Sequence, residues 1–178
     1  MNIERISALA ASRDGFEFVL LSDVHLSEVV RSPEPSWHVY KHPDAAQDDE
    51  LAEFFSYIEA TRPERFPGTV VVFNGDTWDF DSVLARPAGT LPSLQGLSST
   101  CASSVFKMHE LCCAHGRFIS ALSAFLACGN KAIFVMGNHD RELAFEEVQE
   151  VLRSSLAATA PPGQGCAVAA SVEFEPWF

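Results

Sequence analysis

The chain has 178 residues, 47% of them hydrophobic and 20% charged, with 24 acidic against 12 basic side chains and a formal charge of −12. That apolar content excludes a disordered chain, and the length suits one domain with a core of its own. No apolar run approaches the ~18 residues of a membrane span, which excludes integral membrane association, and so few cations exclude broad neutralisation of a nucleic-acid backbone.

The first fifteen residues interleave Glu4, Arg5, Arg13 and Asp14 with small apolar side chains. That leaves no apolar signal-peptide core, so the expected location is the cytoplasm. A first strand is predicted at Phe16–Leu21 and runs into Ser22-Asp23-Val24-His25. From Ser32 to Asp44, prolines with Trp37, His38, Tyr40 and His42 predict a long loop, which either rims a pocket or covers surface. Leu51, Phe54, Phe55 and Ile58 then fall at helical spacing, with Asp48, Asp49 and Glu50 in the first turn and Pro63 beyond the end. A second strand at Thr69–Phe73 leads into Asn74-Gly75-Asp76-Thr77-Trp78-Asp79.

A Pro-, Gly- and Ser-rich stretch from Arg86 to Thr100 predicts a second long loop. The next helical pattern runs without a break from Ser104 to Ala127, closed by Cys128-Gly129-Asn130. On it His115 shares the apolar face with Leu111 and reads as a hydrogen-bonded core histidine, while His109 reads as solvent-facing. A third strand at Lys131–Met136 ends in Gly137-Asn138-His139-Asp140, and a helix with Phe145, Val148, Val151 and Leu152 on one side follows. After Pro161-Pro162-Gly163, alternation of Val168, Ala170, Val172 and Phe174 with polar or small residues predicts a half-buried strand. The last residues, Pro176-Trp177-Phe178, leave two large aromatics at a terminus, which predicts a chain that stops before its fold is complete.

Near-continuous apolar strands alternating with helices predict an α/β layered fold, its strands buried on both faces and its helices on the outer faces of the sheet. The five cysteines are odd in number, include the adjacent Cys112 and Cys113 and form no C-x-x-C pair. They read as reduced thiols rather than as a disulfide framework or zinc ribbon.

The chemistry lies just behind the strands. Ligands in open α/β sheets sit outside the carboxyl ends of strands, so three polar clusters at three strand ends are expected to converge. Carboxylate, imidazole and amide oxygen together suit borderline divalent ions such as Mn, Fe or Zn. Asp23 and His25 can reach one ion if the backbone turns between them. Asp76, behind Gly75, has room to approach closely and bridge two ions. Asn138 offers a neutral oxygen, and His139 a proton. Asp79 reads as a helix-starting cap, or, by the resemblance described next, equally as a support for the ligands; Asp81 reads as a solvated or capping carboxylate, and Arg141 as a surface salt-bridge partner rather than a phosphate contact.

These three motifs, in this order, resemble the calcineurin-like metallophosphoesterase superfamily, whose pattern is D-x-H, G-D-x-x-D, G-N-H-[DE] and two later His motifs. The match runs from about Phe16 to Leu143, within a single domain over 1–178 that would be the N-terminal portion of that fold. The resemblance implies two divalent ions, Mn foremost, with Asp23 and His25 on the first, Asp76 bridging and Asn138 on the second. It also implies that His139 acts on the phosphate as transition-state stabiliser or leaving-group acid, with Asp140 orienting it. The implied reaction is hydrolysis of a phosphate mono- or diester, or a pyrophosphate, by an activated water. The implied substrate is a phosphorylated small molecule, a nucleotide or a lipid-linked phosphate.

The run Gly75–Phe80 is similar to the UDP-diacylglucosamine pyrophosphohydrolase branch, which often carries Arg where His139 stands. No histidine follows His139, so the two later motifs are absent. That leaves the first ion three of its four family ligands and the second only two. The rival reading is a non-catalytic fragment or protein-interaction scaffold that keeps the fold with an incomplete metal site.

Overall fold

β-branched and aromatic runs form the sheet, and amphipathic stretches between them form the connections. In the computed structural model, residues 15–28, 45–89 and 97–176 are described. The Trp37–His42 cluster, part of the loop after Arg86, the terminal Trp177 and Phe178, and residues 1–14 lie outside them. The elements are β1 (Glu17–Leu21), α1 (Ala45–Thr61), β2 (Thr69–Asn74), α2 (Cys101–Ala114), α3 (Gly116–Ala127), β3 (Lys131–Val135), α4 (Glu146–Thr159), α5 (Gly165–Ala170) and β4 (Val172–Glu175). Short 3₁₀ turns occupy Phe80–Ser82 and Arg141–Ala144.

The four strands form one sheet in the order β1-β2-β3-β4, every pair parallel. Parallel neighbours need long crossovers, and the helices supply them, which makes the chain an α/β fold. The register sets Val71 beside Ala132, and Phe73 beside Phe134. On that face the Phe73 and Phe134 rings stack at 4.6 Å, and Phe118 of α3 meets Phe73 edge-on at 6.0 Å. Phe55 of α1 stacks on Phe125 of α3 at 5.2 Å, so these helices and the sheet share one aromatic core. Burying each such ring removes about 150–250 Å² from water.

Three expectations are corrected. β1 is not buried on both faces: Phe18 and Leu20 are 41% and 66% exposed, while Val19 and Leu21 pack on the core. Among the described residues β1 stands at the edge of the sheet, and only its alternate side chains, on one face, reach the helices. The helical pattern from Ser104 to Ala127 is broken at His115, where φ is −106° and ψ is 40°. Val168 and Ala170 lie in α5 rather than in a strand, and β4 begins only at Val172. In that Ala-rich run, alternation of small side chains is a weak strand signal and helix propensity wins.

His115 itself is the expected hydrogen-bonded core histidine. Its Nδ1 lies 2.7 Å from Asp48 Oδ1 and its Nε2 2.7 Å from the Ser27 carbonyl, while Asp48 Oδ2 accepts from the Phe118 N–H. His109 is exposed, as expected. All five cysteines are free, and burial pushes the Cys112 thiol up to about 12. Among the described residues, no helix is long and apolar enough to cross a membrane.

Candidate metal centre

β1, β2 and β3 are neighbours, and their register brings their carboxyl ends level: Leu21 pairs with Phe73, and Asn74 with Val135. The three following loops therefore start side by side. Backbone hydrogen bonds stitch the first two together, from Asp23 N to Gly75 O, His25 N to Asp76 O, and Leu26 N to Thr77 O. Asp79 N returns a bond to Leu26 O at 2.8 Å.

Within these loops three non-glycine residues take left-handed backbone: Asp23 (φ 56°), His25 (φ 52°) and Asp76 (φ 52°). Such conformations are uncommon outside glycine and cost on the order of 1–3 kcal/mol each, although Asp and His tolerate them better than most. All three are among the four residues proposed from sequence as ligands, the fourth being Asn138. The ligand atoms of Asp23, His25 and Asp76 lie within 4.8 Å of one another. The turn around Val24 thus brings Asp23 and His25 to one point.

The third loop is fitted closely against Asp76. A Cβ placed on Gly137 would overlap the Asp76 carboxylate and stand 2.5 Å from its backbone nitrogen, so glycine is required there by space. His139 N–H donates to Asp76 Oδ1 at 2.9 Å, and Phe80 N–H donates to the His139 carbonyl at 3.2 Å. Asn138, between them, is exposed at the rim.

The Asp140 carboxylate contacts backbone of both neighbouring motifs. Fully buried, it accepts from the N–H groups of Thr77 (2.8 Å), Trp78 (3.4 Å) and Gly137 (2.5 Å), which ties the second motif to the third. Burial pushes the Asp140 carboxyl up from its ordinary value, against the pull of those three N–H donors. The carboxylate beside the His139 ring is Asp79, whose Oδ1 lies 3.5 Å from Nδ1. Asp79 is 1% exposed, and its side chain makes no capping hydrogen bond to the 3₁₀ turn that follows it. Sequence reasoning left Asp79 undecided between a cap and a support. The geometry sets it beside the His139 ring rather than at a cap.

The His139 ring meets His25 edge-on, with centroids 5.0 Å apart and planes at 78°. Together with Asp79 they make a second group whose ligand atoms lie within 4.8 Å of one another. The two groups share His25. Arg141 is exposed at the surface.

The donors fit a divalent ion: carboxylates and imidazoles converge from three loops, two of them on strained backbone, with a glycine giving room. No family model, curated protein or solved structure matches this chain. The geometry of the centre is therefore the basis for any functional reading.

Proposed function

We propose that this chain is a metal-dependent phosphoesterase that hydrolyses a phosphate mono- or diester, or a pyrophosphate, at the ends of β1, β2 and β3. One observation carries the reading: Asp23, His25 and Asp76 converge on strained backbone at two level, neighbouring strand ends. Strain of this kind concentrates where function requires it. Two divalent ions of the Mn type are proposed, with Asp23, His25 and Asp76 holding the first and Asp76 with Asn138 offering ligands to the second. Bound ions would polarise phosphoryl oxygens and lower the pKa of a water.

The chain's own groups do the rest. Asp76 accepts from the His139 N–H, so the ligand loop and the proposed acid are fixed to each other. With His139 Nδ1 turned to Asp79, its Nε2 is the nitrogen assigned to the leaving-group oxygen. Asp140 holds the two loops in register through backbone rather than through the His139 ring. The proposed substrates are phosphorylated small molecules, nucleotides or lipid-linked phosphates, whose anionic groups bound cations would make welcome in an acidic chain.

The test is turnover of bis-p-nitrophenyl phosphate by the whole chain with Mn. The expected result is hydrolysis that Asp76→Asn lowers by at least about 100-fold, since one oriented ligand is lost. Turnover unchanged by Asp76→Asn, or none with Mn, Fe or Zn, would overturn the proposal. A binding role without turnover is the second reading. It is favoured by the exposure of Asn138, the one ligand proposed for the second ion besides the shared Asp76.

A further inference from the structure

We propose that His25, Asp79 and His139 form a self-standing second position that takes one zinc-like transition-metal ion, and that filling it excludes an ion from the Asp23–His25–Asp76 position. The three side chains come from three different loops, and their ligand atoms lie within 4.8 Å of one another. His139 Nδ1 is buried and makes no hydrogen bond among the described residues. A buried polar nitrogen left in that state is destabilising, and a bound cation would remove the penalty.

Spacing points the same way. His139 Nδ1 and Asp79 Oδ1 are 3.5 Å apart, too far for a well-made hydrogen bond. Ligands at about 2.0–2.1 Å from a tetrahedral ion stand roughly 3.3–3.4 Å from each other, close to that separation. Asp79, buried at 1% exposure, is held by its backbone bond to Leu26, and His139 by its backbone bonds to Asp76 and Phe80. Two of the three ligands are therefore fixed before any ion arrives.

The donor sets also differ in kind. Two imidazoles and one carboxylate suit zinc or ferrous iron, whereas two carboxylates and one imidazole lean toward manganese. A neutral imidazole has one lone pair, so His25 can serve only one ion at a time. Exclusion of one site by the other follows from that shared ring. Taken with the phosphoesterase proposal, on which this consequence alone rests, zinc at the second position occupies His139 as well as His25 and would inhibit manganese-supported turnover.

The experiment measures binding, so it does not depend on activity. The whole chain and its Asp23→Asn/Asp76→Asn double variant are titrated with cobalt(II), followed by its visible absorption, and then with zinc in competition. The double variant is expected to keep one zinc-displaceable cobalt ion. Adding Asp79→Asn or His139→Gln to it should weaken zinc binding by more than about 100-fold, beyond the 10–100-fold that outer partners of a ligand cost. Loss of zinc binding in the double variant would overturn the proposal. So would zinc affinity that stays within about twofold when His139→Gln is added, again judged against the cost of outer partners. Circular dichroism of each variant checks the fold, and His139→Gln, whose side chain is partly exposed, is the arm least exposed to misfolding. Absence of turnover with manganese would count against the phosphoesterase proposal and leave this result standing.

Discussion

Single atoms decide the centre. The closest fit in the site is between Gly137 and Asp76, where even a methyl group has no space. Gly137→Ala must move either the carboxylate or the backbone of the loop. It should therefore cost about 1–3 kcal/mol in stability, the usual penalty of overpacking. Because the atom displaced is a proposed ligand, divalent-ion affinity should fall further than stability alone explains. Calorimetric titration beside urea unfolding measures both, and an unchanged ion affinity would show that Asp76 does not act as a ligand. Asp140 illustrates a different economy of residues. A carboxylate in a motif read as catalytic is here engaged by three backbone N–H groups and acts as a bracket between loops.

At the scale of elements, the break between α2 and α3 has a purpose visible in its contacts. His115 stands at the break and reaches both Asp48 of α1 and the Ser27 carbonyl, two residues after His25. This one ring links two helical connections to the first ligand loop. Among the described residues, His115→Ala would leave buried Asp48 beside the Phe118 N–H alone, and should cost about 3–5 kcal/mol. Asp48→Ala/His115→Ala should cost less than the two single changes together, because each already removes the shared contact. Urea denaturation of the four proteins in this cycle is the measurement, and strict additivity would deny the coupling.

The three strands beside the site, their order along the chain and the three polar clusters were legible in sequence. Buried parallel strands leave unbroken apolar runs, and each run ends abruptly in chemistry. The break at His115 was not legible, since helical spacing continues across it from Leu111 to Phe118 and the cause is a partner 67 residues away. Nor was α5, where alanines fit either periodicity. Asp23, His25 and Asp76 could be named as candidates, but their left-handed backbone could not, because it is set by hydrogen bonds between loops distant in sequence.

Over the whole molecule, the sheet divides into two unlike faces at its β1 edge. Phe73 is fully buried and stacked within the aromatic core, whereas Leu20 is 66% exposed on the edge strand. Phe73→Ala should lose about 3–5 kcal/mol through transfer and cavity terms. Leu20→Thr should stay within about 0.5 kcal/mol, as surface changes do. Urea unfolding compares the two, and a large loss at Leu20 would mean that its exposed side carries weight in the folded state. The parallel order of the strands also has a meaning in time. Asp76 and His139, joined by a hydrogen bond, are 63 residues apart, and Asp23 precedes His139 by about 116. At about 5–20 residues per second, a ribosome delivers His139 roughly 6–23 s after Asp23. Until then the first loop has no third wall, and nothing from it holds Asp76 in place. The three loops therefore stand together only once β3 has joined the sheet, so an ion taken up as proposed would find its site late in synthesis rather than at its start.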